Sequence, residues 1–159
     1  MIKRYRQACI LLASGFGAGY SPIMPGTVGT LMAFPLFWFA QLWLTPFGIT
    51  ILALVLFFVA IPICQSASAH FKAHDASPIV IDEIIAMLLV LSLIPTYWTW
   101  QLIGFIVFRF FDIAKPFPIG YIDKSQSNAI KIMLDDIVAA IYTILFLLLC
   151  QWLWQNIAS

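Results

Sequence analysis

An all-α polytopic membrane bundle, with about five transmembrane helices after a short N-terminal interfacial or re-entrant segment, is the fold class this sequence predicts. Three observations carry that expectation. Hydrophobic residues make up 63% of the 159 positions and charged residues 9%, against roughly 45–50% and 25% in soluble domains. The apolar residues fall into runs near the roughly 20 residues that a helix needs to cross a bilayer core. The charges, finally, gather in the connections at one end of those runs. A chain of this length holds about five spans with short loops, so a single domain over 1–159 is expected.

Met1–Ser14 sets Lys3, Arg4 and Arg6 before an apolar segment too short to span or to serve as a cleaved leader. Gly15–Thr30, GFGAGYSPIMPGTVGT, is rich in glycine and proline and free of charge. Pro25, Gly26 and Thr27 resemble a helix entry with free N–H groups, so the stretch can cradle a phosphate. A re-entrant turn with close helix packing explains it equally well. It is neither a P-loop nor a dinucleotide fingerprint, because no GK[ST] follows and no strand precedes it. Thr27–Leu44 and Gly48 to about Phe71 read as two spans joined at Thr45-Pro46-Phe47. His70 and His74 form a lone HxxxH, with His70 read as the end of a span and His74, beside Asp75, as the functional candidate.

Ser77 and Pro78 look like an N-cap and first helical residue, which predicts a helix from there to Pro95 with Asp82 and Glu83 in its first two turns. PTYWTW has the aromatic character of a membrane boundary. The following helix runs from about Trp98 to Ala114 and places Arg109 and Asp112 three apart on one face before Pro116. The last starts near Ala129 and carries Lys131, Asp135 and Asp136 early.

Counting crossings puts every charged residue from Lys72 onward on one side, while the opposite loops near Pro46 and Pro95–Trp100 lack Lys and Arg. The positive-inside rule makes the charged side cytoplasmic. Topology alone has no use for acids, and charges at a bilayer boundary are tolerated mainly where they have a partner or a task. Asp82, Glu83, Asp112, Asp135 and Asp136 reach similar depth from three helix ends, an oxygen-rich set suited to Mg²⁺. Adjacent Asp135 and Asp136 cannot both face one point, so one is expected to act behind the other. Arg109 and Lys115 remain to hold an anion, with Ser21, Gly26 and Thr27 of the glycine-rich loop as further substrate contacts. Eight Lys and Arg against seven Asp and Glu leave no basic field for nucleic acid. Three cysteines without CxxC spacing read as packing residues.

In four ordered blocks, GFGAGYSPIMPGTVGT, HD followed by IVIDEIIAM, FRFFDIAKPFPI and IMLDDIVAA, the chain resembles the phosphatidylglycerophosphatase A family of membrane enzymes. The resemblance covers nearly the whole chain. It implies an all-helical fold and Mg²⁺-dependent removal of the terminal phosphate from phosphatidylglycerophosphate in a bacterial cytoplasmic membrane. The sequence lacks the Cys-x5-Arg, DxDx[TV] and Lys-x6-Arg-Pro blocks of other phosphatase chemistries. Direct attack by water is then the simplest route. His74, Asp75, Asp82, Glu83 and Asp136 are the candidate catalytic residues, with a carboxylate among Asp82, Glu83, Asp135 and Asp136 as base and His74 as proton donor. A cation transporter would also gather acids, but needs polar groups along a path, and the midplane here carries no charge. Hydrolysis of another lipid phosphomonoester is the nearer alternative.

Overall fold

The computed structural model describes residues 2–71, 78–117, 119 and 129–157. Among them are six α-helices and no strand: α1 (Ile2–Ala13), α2 (Pro25–Ala40), α3 (Pro46–Phe71), α4 (Ile81–Leu93), α5 (Trp98–Ala114) and α6 (Ala129–Ile157). The boundaries follow local chemistry. Pro25 and Pro46 open α2 and α3, where a missing N–H costs nothing. The Thr45 hydroxyl oxygen caps α3 by accepting the Gly48 amide at 3.2 Å. Before Pro95, Ile94 is extended, which stops α4. Lys115, with φ of 43°, ends α5 ahead of Pro116.

One expected boundary moves. Helix α4 begins at Ile81, not at Ser77-Pro78; Ser77 lies outside the described residues, and residues 79–80 are not helical. The reason is tertiary. The Val80 backbone, at φ −139° and ψ 6°, is not helical, and its amide donates to the Ala13 carbonyl at the end of α1 (2.9 Å). Val80 is fully buried, and its side chain fills the space left by the missing side chain of Gly29 on α2. The backbone of Pro78 similarly occupies the place where a side chain on Gly19 would be. Asp82 and Glu83 consequently fall in the first turn of α4.

Helix α4 is the axis of the molecule: it packs against α2, α3, α5 and α6, and nearly every residue from Ile84 to Ser92 is buried. At 13 residues it is about 20 Å long, shorter than a bilayer core of roughly 30 Å. Around it, α3 and the Met133–Ile157 part of α6 are long and apolar enough to cross a membrane, and α2 is a shorter apolar helix. Large apolar side chains point outward from these helices, among them Phe39, Phe58, Phe110, Leu145 and Trp152. Soluble proteins rarely expose so continuous an apolar surface, whereas lipid tails cover one at no cost.

Helix α1, 12 residues and about 18 Å, packs on α3, with Cys9 and Ala13 buried. At the end of the bundle where α2 finishes and α3 starts, Trp38 Nε1 donates to Gln101 Oε1 (3.1 Å), and the hydroxyls of Thr50 and Ser92 pair at 2.9 Å. Such interhelical hydrogen bonds fix helix pairs that lipid alone would not. All three cysteines are free, with Cys9 and Cys64 buried.

Candidate active site

The charged groups meet at the other end of the bundle. The first turn of α4 supplies Asp82 and Glu83, and α6 supplies Asp136 across from them. One carboxylate oxygen from each of the three lies within 4.8 Å of the others. Asp82 and Asp136 are buried, and Glu83 nearly so. Asp82 Oδ1 accepts the Glu83 amide at 3.1 Å, a carboxylate seated where the helix dipole favours it.

Asp135 and Asp136 diverge by about 100°, the angle between successive residues on a helix. Asp136 turns into the carboxylate cluster, while Asp135 meets Lys115 Nζ at 3.0 Å. Asp112 is likewise engaged by a cation, its Oδ2 lying 2.6 Å from Arg109 Nη1. Of the five carboxylates expected around a metal ion, therefore, three converge and two hold the neighbouring cations.

Beside the cluster lies Arg109. Arg109 Nη1 stands 3.9 Å from Glu83 Oε1 and donates to the Thr30 hydroxyl at 3.3 Å. The first turn of α2 covers this guanidinium at Gly26: a Cβ there would overlap Glu83 Oε1 and lie 3.2 Å and 3.3 Å from the Arg109 nitrogens. The adjacent Thr27 hydroxyl is buried with no hydrogen-bond partner among the described residues. No described side chain caps α2 at its start, and its first N–H groups have no carbonyl partner within the helix. Ser21 is placed differently; its hydroxyl donates to the Ile23 carbonyl (2.9 Å) in an exposed turn. His74 and Asp75 lie outside the described residues. Thr30 was not singled out by sequence reasoning, though its position four residues after Gly26, hence on the same helix face, was an available signal.

The donor set fits a hard divalent cation. Three carboxylates converge, and Arg109, which faces Glu83 at 3.9 Å, already pairs through that same nitrogen with Asp112. Glu83 Oε2 is buried without a hydrogen-bond partner among the described residues. Leaving such charge uncompensated in a low-dielectric interior is costly, and an oxygen-seeking ion in the cluster removes that cost.

Comparison with known proteins agrees in scale with the sequence resemblance. The family model described as phosphatidylglycerophosphatase A matches residues 11–151. A phosphatidylglycerophosphatase A of Escherichia coli (strain K12) is 41% identical over 133 residues, covering 82% of this chain and 76% of the relative. One from Haemophilus influenzae is 39% identical over 146 residues, or 89% and 88% of the two chains. A protein of Bacteroides thetaiotaomicron, provisionally named a phosphatidylinositol-3-phosphatase, is 32% identical over 158 residues, 95% and 98% of the two chains. No solved structure matches the chain.

Proposed function

Because the chain belongs to the phosphatidylglycerophosphatase A family, we propose that it hydrolyses the terminal phosphomonoester of phosphatidylglycerophosphate, releasing phosphatidylglycerol and inorganic phosphate. It is a lipid phosphatase of phosphatidylglycerol synthesis. The observation that carries the mechanistic reading is the contact between a buried three-carboxylate cluster and Arg109 beneath the open start of α2.

Asp82, Glu83 and Asp136 hold Mg²⁺ in this reading. When bound, such an ion polarises the phosphoryl group and lowers the pKa of an attacking water. The protein's own groups do the rest. Arg109, the Thr27 hydroxyl and the first amides of α2 bind and orient the terminal phosphate, and Lys115, tied to Asp135, extends the positive rim. Water attacks phosphorus, the bond from phosphorus to the glycerol oxygen breaks, a carboxylate of the cluster takes the water's proton, and His74 gives one to the departing oxygen. The His74 role, and that of neighbouring Asp75, rests on sequence position alone.

In this reading α2 to α6 cross the membrane, α1 lies at the interface, and the site faces the cytoplasm across a bacterial inner membrane. Charge asymmetry supports that sidedness. Asp82, Glu83, Asp112 and Asp136 lie within about two turns of helix ends, roughly 10 Å, the depth of a headgroup whose acyl chains stay in the bilayer. Lipid substrates are favoured over soluble esters for that reason. Purified protein in detergent with Mg²⁺ is to be given phosphatidylglycerophosphate, phosphatidic acid, phosphatidylinositol 3-phosphate and glycerol 3-phosphate, and released phosphate measured. Preferential hydrolysis of phosphatidylglycerophosphate is expected. The proposal fails if that lipid is not hydrolysed, or if glycerol 3-phosphate is turned over as efficiently.

A further inference from the structure

We infer that Thr30 is a positioning residue that reserves one edge of Arg109 for the substrate phosphate, an inference that rests on the phosphatase reading above. Thr30 is fully buried on α2, and its hydroxyl donates its one proton to the Gly26 carbonyl at 2.8 Å. That direction leaves an oxygen lone pair facing α5, where it accepts from Arg109 Nη1 at 3.3 Å. The same nitrogen meets Asp112 at 2.6 Å and faces Glu83 at 3.9 Å. One nitrogen thus absorbs the guanidinium's contacts with the described residues.

Among the described residues the opposite edge has no partner: buried Arg109 Nε makes no hydrogen bond there, and the guanidinium's ion pairs and hydrogen bond all fall on Nη1. Nη2 and Nη1 stand 3.2 Å and 3.3 Å from where a Cβ on Gly26 would be, so the terminal nitrogens of the guanidinium lie against the first turn of α2. In a planar guanidinium, Nε–H and the nearer Nη2–H run parallel, a fork whose spacing matches two oxygens of a phosphate. A buried donor without a partner is costly unless a ligand supplies one. Asp112 tethers Nη1 from the same helix; Thr30 adds a second tether from α2, and two tethers on one nitrogen hold the guanidinium plane and with it the direction of the fork. The hydroxyl acts through Arg109 and touches no reacting atom.

The test pairs T30A with T30S, which differ by the hydroxyl alone, adds the near-isosteric T30V, and repeats T30V in an R109K background where the fork is absent. Michaelis constants for phosphatidylglycerophosphate and inhibition constants for inorganic phosphate are to be measured in detergent. T30A and T30V are expected to raise both constants about tenfold with a smaller change in kcat, T30S to stay within about threefold of wild type, and T30V to add nothing to R109K. Wild-type constants in T30A and T30V, or an equal T30V penalty with and without R109K, would overturn the inference. Failure of the phosphatase reading is distinguishable, because it appears in the wild-type protein as an absence of lipid hydrolysis before any variant is compared.

Discussion

Replacing Gly26 by alanine separates the site's chemistry from the fold's stability. Gly26 sits in the first turn of α2, and the added methyl group would overlap Glu83 Oε1 and press on both terminal nitrogens of Arg109. Something has to move. The nearest obstacle is the tip of a flexible side chain, not backbone, so the fold can yield locally by swinging the Glu83 carboxylate aside. Restoring an ordinary contact requires a displacement of about 1 Å, and a misplacement of that size in a positioned group costs on the order of 100-fold in rate. Stability moves the other way: alanine in a helix is favoured over glycine by up to about 1 kcal/mol. G26A is therefore expected to lose about two orders of magnitude in kcat/KM for phosphatidylglycerophosphate while its thermal unfolding midpoint in detergent is unchanged or raised. Phosphate release and a thermal melt on the same preparation make the comparison. Wild-type activity, or an activity loss accompanied by an equal loss of folded protein, would refute the reasoning that Gly26 is glycine for the sake of the site.

Gly29, one turn further along α2, should respond in the opposite sense, because its Cβ would lie 2.5 Å from the Cβ of buried, β-branched Val80; G29A is expected to lower stability by about 1–3 kcal/mol, measured by thermal or denaturant unfolding. Replacing Asp82, Glu83 or Asp136 by its amide keeps shape and removes charge, so D82N, E83Q and D136N should each reduce activity at least 100-fold while the protein still inserts. EDTA should abolish wild-type activity and added Mg²⁺ restore it; undiminished turnover after EDTA would count against the metal reading. Cysteines introduced at Ser77 and Ser125 in a cysteine-free background should resist an impermeant thiol reagent applied to intact cells, and ready labelling of either would reverse the proposed sidedness.

Much of this protein was determined by its sequence alone, because membrane class, helix extent and charge placement are local properties. A bilayer demands long apolar runs, proline stops helices wherever it falls, and the acids sit at helix ends whatever the bundle's packing. The beginning of α5 at Trp98 was legible in this way, as was the gathering of Asp82, Glu83, Arg109 and Asp136 at one end of the bundle. Tertiary structure decided how the groups pair. Spacing along a helix gives relative angles on that helix but not the direction in which it faces its neighbours. Asp135 and Asp136, adjacent and chemically identical, could be told apart only when α6 was set against α4 and Lys115. Asp112 grips Arg109 through Oδ2, and Thr30, a buried helix residue with no charge to mark it, reaches the same guanidinium from α2. The start of α4 has the same origin: the Ser77-Pro78 signal is local, whereas the hydrogen bond from Val80 to Ala13 joins segments 67 residues apart, and a buried backbone donor must be satisfied wherever packing puts its partner.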